Sequence, residues 1–360
     1  MLTLSLDALS AFQPNIAEVA ARWDAFWQGE MIDRPVLLSS CPKPGAAYEG
    51  GDCYRARAFD PMEPQIERVL YNASQTYYGG DSIPSYFLSF APDEIAAYCG
   101  AEILWPEPGS LETNWVRPFV DDWEKALPLS VDEDNVFYRR MQEFYRLCAD
   151  RFAGRILTRT LDFHTNMDLL AAVRGSEALC MDLVDCPEAI DRAMEDVGRI
   201  FKQCWEVCTR AGRMEETGYY SDCFSASGSI GLLSCDFICL IGREMFRRWA
   251  LPMMEYESSF FDHVMLHWDG PDALRHFDDM MAMKKLYLIS YVPSPGETHL
   301  DYIDLYQKVQ AAGKAVSVSG TTEQLQQLHR ALNPAQTLFS HRSAGIEDTE
   351  RMTEWLVKHT

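Results

Sequence analysis

Eight consecutive residues, Val264-Met-Leu-His-Trp-Asp-Gly-Pro271, place an imidazole and a carboxylate two positions apart at the end of an apolar run. In a strand, positions i and i+2 point to one side. His267 and Asp269 would then project together from the carboxyl end of a buried strand, where Gly-Pro starts a helix. Active sites of α/β proteins are built at such ends. A His–Asp pair there can manage a proton near neutral pH, or hold a hard divalent metal as Lewis acid. The plainer alternative makes Asp269 an N-cap ahead of Pro271 and His267 a hydrogen-bonded core residue.

Other candidates follow apolar runs in the same way. Asp162 and His164 lie in Thr160-Leu-Asp-Phe-His-Thr165, where alternation puts both on one face. Asp236 sits between Cys235 and Phe237, and a carboxylate in apolar surroundings needs a partner. It could be a ligand, a general acid or base, or an anchor for Arg243. His341 and Arg342 end the last apolar run; His341 is a third potential metal ligand, and Arg342 could clamp a carboxylate or phosphate. Tyr220, Asp222, Ser225 and Ser227 would line a pocket or simply form a polar loop. Asp81 follows two glycines and reads by itself as a turn aspartate. Trp115 and Trp268 could offer stacking surfaces or fill a core. Walker, GxGxxG, GxSxG and HExxH patterns are missing, which leaves nucleotide-driven and serine-hydrolase chemistry unsupported.

The elements that must position these groups repeat in the carboxyl-terminal half. Short apolar runs occur at 217–221, 264–267, 286–291, 315–319 and 337–341, each of the last four followed by a helix-like segment. The last four start roughly 22–29 residues apart, the spacing of βα units in a parallel sheet. A long amphipathic helix opens at Asp185-Cys-Pro-Glu and ends at Gly212; Gly313 closes another, and Thr321-Thr-Glu-Gln begins the next. Toward the amino terminus, 17–28 reads as a helix with Trp23, Phe26 and Trp27 on its apolar side, and 35–40 as a strand. A Gly/Pro-rich loop covers 41–60, an inserted antiparallel piece lies within 101–140 around 115–120, and 155–160 is a further strand before 166–175. The spacing predicts a (β/α)8 TIM barrel with amino-terminal helical and loop decorations, one domain over 1–360.

Composition narrows the function. With 32 Lys+Arg against 54 Asp+Glu, the formal charge of -22 repels phosphate backbones and anionic lipid, so neither nucleic acid nor a membrane surface is an expected partner. The start, Met1-Leu-Thr-Leu-Ser, carries neither a basic leader region nor an apolar span. Eleven cysteines lack any framework spacing and read as reduced thiols, the expectation for a cytoplasmic protein.

Several stretches resemble the uroporphyrinogen decarboxylase-like superfamily. They are Arg22-Trp-Asp-Ala-Phe-Trp-Gln-Gly-Glu-Met-Ile-Asp-Arg-Pro35, Tyr78-Gly-Gly-Asp81, and Asp93-Glu-Ile-Ala-Ala-Tyr-Cys-Gly100. Above all they include Ser234-Cys-Asp-Phe237 with Met245-Phe246, Pro252 and His267-Trp-Asp-Gly-Pro-Asp-Ala-Leu-Arg-His276. The resemblance spans nearly the whole chain and implies a TIM barrel. Its members include porphyrinogen decarboxylases and methyltransferases that move methyl groups between corrinoid proteins and thiols. It also places Asp81 where the decarboxylases keep a substrate-facing aspartate. Two departures bear on activity. The Arg-Gln-Ala-Gly-Arg element that grips substrate propionates in the decarboxylases is missing, leaving anionic arms unpaired. The methyltransferases hold zinc with His-x-Cys and a later Cys; here Asp269 stands at the second position and no cysteine follows Cys239.

The expectation is therefore an enzyme of the methyltransferase-like branch. Asp81, Asp236, His267 and Asp269 would assist methyl transfer between a small methylated substrate and a corrinoid on a partner protein. Asp162, His164, Tyr220 and Arg342 would contact substrate. A non-thiolate divalent site, zinc for example, would use His267, Asp269 and His341. The alternatives are a decarboxylase of a porphyrinogen or other aromatic acid, and a barrel that binds a ligand without catalysis.

Overall fold

Apolar runs too short to span a helix pair into strands, and the amphipathic segments between them pack against the resulting sheet. A computed structural model describes residues 6–107 and 112–360. The amino-terminal stretch 1–5, read above for a leader, and residues 108–111 within the inserted piece lie outside the described residues. The amino-terminal half contains β1 (Leu37–Pro42), β2 (Thr76–Gly80), β3 (Ser85–Tyr86), β4 (Glu102–Leu104), β5 (Trp115–Arg117) and β6 (Leu157–Thr158). The rest contains β7 (Tyr219–Tyr220), β8 (Phe224–Ser225), β9 (Ile230–Ser234) and β10 (His263–Asp269). It ends with β11 (Leu286–Val292), β12 (Ala315–Gly320) and β13 (Thr337–His341).

Seven strands form one sheet in the order β2-β1-β13-β12-β11-β10-β9. Every neighbouring pair is parallel except β1 with β2. Helices follow β10 to β13 in turn, as the repeat predicts, and the long helix is Pro187–Ala211. The predicted antiparallel insertion is β4 paired with β5. The ladder among the described residues differs from the predicted eight-strand cylinder. β3, β6 and β7 are two residues long, and β6 joins its neighbours through bonds such as Arg159 N to Tyr86 O at 2.8 Å and Thr160 N to Tyr220 O at 3.2 Å. So few bonds make a shorter ladder than β10 makes with β11.

Alternation sorts β10. Val264, Leu266 and Trp268 are buried; Trp268 packs on Phe277 of the following helix and on Tyr291. Trp268 is thus a core residue rather than a stacking surface. His263, Met265, His267 and Asp269 share the other face. His263 stacks on Trp27 at 4.6 Å, and Trp27 Nε1 donates to the Phe224 carbonyl at 2.7 Å. The helix Ile16–Trp27 thereby covers the amino ends of the strands, and the carboxyl ends remain for a site. Buried apolar residues from Leu9 to Leu356 form one continuous cluster. Among the described residues, no helix is long and apolar enough to cross a membrane.

Candidate functional site

β9 and β10 run side by side, with Ser234 opposite His267. Two residues beyond Ser234 comes Asp236, and two beyond His267 comes Asp269. Period-two geometry therefore brings three potential ligands to the carboxyl end of one strand pair. Their ligand atoms all lie within 4.8 Å of one another. None of the three side chains makes a hydrogen bond or ion pair among the described residues, so their ligand atoms are free. Asp269 caps nothing: the turn Pro271–His276 has Gly270 at its N-cap and no side-chain cap. Gly270 is left-handed at φ +81, and a Cβ there would lie 2.9 Å from Cys239 Sγ. The Cys239 thiol itself donates to the Asp269 carbonyl at 3.4 Å.

Asp236 is held from below. Asp168, on the helix Asn166–Arg174, accepts the backbone N–H of Asp236 at 2.9 Å and of Phe237 at 2.8 Å. It thereby anchors the start of the turn Asp236–Leu240. Asp236 also faces a second cluster. A cavity of about 480 Å³ is lined by Asp93, His164, Asp168 and Asp236, with Trp115 and Val116 of β5 along its wall. His164 Nε2 lies 3.7 Å from Asp162 and Nδ1 lies 3.9 Å from Asp93. Burial alone pulls the His164 imidazole down, but Asp162, Asp168, Asp93 and Asp236 outweigh it and hold its pKa above the ordinary value. Burial pushes the Asp93 carboxyl up to about 6, His164 pulling back and the neighbouring carboxylates adding to the rise.

The sequence candidates thus separate. Asp236, His267 and Asp269 come together, and Asp162 with His164 stands beside them in the loop after β6 rather than on a strand face. Asp81 is a correction. It lies at the opposite, amino end of β1, wholly buried, its carboxylate accepting from Arg22 Nη1 at 3.0 Å, from Arg34 and from Leu37 N at 2.9 Å. A carboxylate so occupied secures the fold, not a substrate. His341 is a second correction. It is buried at the end of β13, Nδ1 bonded to Ser39 Oγ at 3.0 Å and Nε2 to Thr322 Oγ1 at 2.9 Å, so neither nitrogen is free for a metal. Asp236 does not anchor Arg243, whose Nε donates to Asp279 at 2.7 Å. Tyr220 lines a different cavity of about 530 Å³ together with Ser40, Tyr78 and His341, and burial pushes its hydroxyl up to about 12. Arg342 is exposed and donates to Gln324 at 3.0 Å.

Sequence reasoning missed Asp168 as the support of Asp236, and Asp93 as a wall of the cavity. It also missed Glu94 and Glu257, both wholly interior. Glu94 accepts from Tyr98 at 2.9 Å and Phe90 N at 3.2 Å, and Glu257 from Thr165 at 2.6 Å. Burial pushes each up to about 8. Their folded pKa values stand above the unfolded ones, so the stability they confer is full below the unfolded pKa and is lost as pH rises through about 8. The melting temperature should fall by on the order of 5 °C between about pH 5 and about pH 8. Glu94→Gln or Glu257→Gln should flatten that slope in a thermal scan; an unchanged slope in both variants would refute the assignment.

No protein-family model matches this chain, and no curated protein matches it. Among solved structures, it is similar to a methyltransferase from Methanosarcina mazei with a TM-score of 0.61 and 10% sequence identity. The match covers 94% of this chain and 98% of that one. At that identity the likeness establishes a shared fold across nearly the whole length.

Proposed function

We propose that this chain is a uroporphyrinogen decarboxylase-like (β/α)8 enzyme, a single domain whose two-residue strands complete the cylinder. It would transfer a methyl group between a small methylated substrate and a corrinoid carried by a partner protein, in the cytoplasm. The observation that carries this reading is the Asp236, His267 and Asp269 set, with free ligand atoms within 4.8 Å at the carboxyl ends of adjacent parallel strands. The fold shared with a methyltransferase supports the branch.

The donor set fits a hard or borderline divalent ion. It offers two carboxylates and one imidazole, and the Ser234 hydroxyl beside His267 is 3% exposed without a hydrogen-bond partner. It does not fit a thiolate site: burial pushes the Cys239 thiol up, and Asp236 and Asp269 push it further. Asp236, His267 and Asp269 would hold the ion, which would supply a Lewis acid to a donor atom of the substrate; the corrinoid would supply the methyl-carrying centre. The protein's own groups do the rest. The adjoining cavity orients the substrate. His164, which lines that cavity between Asp162 and Asp93, would pass a proton to the heteroatom left without its methyl group. A polycarboxylate would meet Asp93, Asp168 and Asp236 with no Lys or Arg among the described lining residues, which weighs against the decarboxylase alternative.

Methyl transfer is tested by following loss of the cobalt–carbon absorption of methylcobalamin with the protein, a divalent metal and candidate acceptors. Protein-dependent loss supports the reading; none with any acceptor, alongside carbon dioxide release from a porphyrinogen, overturns it. Removing the support of Asp236 tests the metal site separately. Asp168→Ala should lower divalent-metal affinity about 10–100-fold in calorimetric titration, and unchanged affinity would refute that role.

A further inference from the structure

We infer that the cavity beside the three ligands binds a small organic cation, a methylated ammonium group seated between the Trp115 ring and the Asp93 carboxylate. As an account of the substrate this rests on the methyl-transfer reading; as a binding site it stands alone. The cavity joins two surfaces of unlike chemistry. One wall is apolar, with Val116 and Ala172 beside Trp115, a residue 57% exposed although it is among the largest in the chain. The other carries three carboxylates, Asp93, Asp168 and Asp236, around the single imidazole of His164.

Asp168 is satisfied by the backbone amides it accepts. Asp93 is not. It is 8% exposed, and its carboxylate accepts no hydrogen bond among the described residues; the only positive partner is His164 Nδ1 at 3.9 Å, beyond hydrogen-bond reach. A buried carboxylate without a hydrogen bond is costly unless a ligand supplies the partner. A bare metal ion would leave the indole face and apolar wall without a role. An anion would be repelled. An ammonium carrying methyl groups uses both: its charge answers Asp93, and its methyl groups lie on the ring face, where a cation is attracted by the π quadrupole.

The probe is choline, titrated calorimetrically into the full chain alongside 3,3-dimethylbutan-1-ol, its uncharged isostere. Choline should bind at least about 10-fold more tightly than the isostere. Trp115→Ala and Asp93→Asn should each weaken choline about 5–10-fold, with Trp115→Phe retaining most of the affinity. Asp93→Asn should leave the isostere unaffected, and circular dichroism establishes that each variant is folded. Equal binding of choline and isostere, or wild-type choline affinity in both Trp115→Ala and Asp93→Asn, overturns the inference. So does a protein that demethylates methylcobalamin yet binds no choline, whereas choline binding without methyl transfer upholds the cation site and removes only the methyl-transfer reading.

Discussion

Replacing His267 with Ala should strip the protein of stoichiometric divalent metal and lower methyl transfer by about 100- to 1000-fold. The imidazole is the only nitrogen donor in the set, and the remaining carboxylates of Asp236 and Asp269 are both exposed, where water competes for the ion. Stability should scarcely change. His267 is half-buried, makes no hydrogen bond among the described residues, and faces away from the packed side of β10 that holds Trp268. Metal analysis of the purified variant, paired with a thermal scan, separates this from a core role. A structural histidine would show the reverse pattern, with metal content unchanged and the melting temperature reduced.

Asp81→Ala should have the opposite signature. Removing its carboxylate leaves Arg34, itself buried, without its ionic partner, and takes from Arg22, on the helix Ile16–Trp27, its one buried carboxylate partner while Asp33 and Glu18 remain. Breaking a buried pair from one side costs about 3–5 kcal/mol. The loss should appear as a lower urea midpoint with an unchanged slope. Metal content of the folded fraction should equal that of wild type, because Asp81 lies at the other end of the strands from His267. An Asp81→Ala protein of normal stability that had lost its metal would restore Asp81 to the active site.

These two residues also mark how far the sequence could be read. His267 and Asp269 were legible because period-two alternation ended at Gly-Pro, and strand geometry alone then decides where the side chains point. Asp81 was read as substrate-facing from the resemblance alone; β2 runs antiparallel to β1 and ends beside Leu38, which leaves Asp81 at the amino end of the sheet. The Tyr78-Gly-Gly-Asp81 string carries no signal of strand direction. Asp236 was found, but not the strand that carries it. Gly231 interrupts the apolar run Ile230-Gly-Leu-Leu-Ser234 and hides it from a pattern of β-branched residues. In the structure that glycine is needed because a Cβ there would come within 1.9 Å of the Phe261 ring. His341 was read as a free ligand because it ends a strand; its bonds to Ser39 and Thr322 come from chain segments far away in sequence. Asp93 and Asp168 escaped for the same reason, since their positions depend on how the loops after β3 and β6 fold back over the strand ends.

The most direct measurement is a crystal structure of the protein equilibrated with manganese, examined for anomalous scattering. The account predicts one strong peak bounded by the Asp236 and Asp269 carboxylates and the His267 imidazole, at coordination distances of about 2.0–2.2 Å. Manganese sites elsewhere with none at this position, or crystals in which the three side chains turn away from one another, would contradict it.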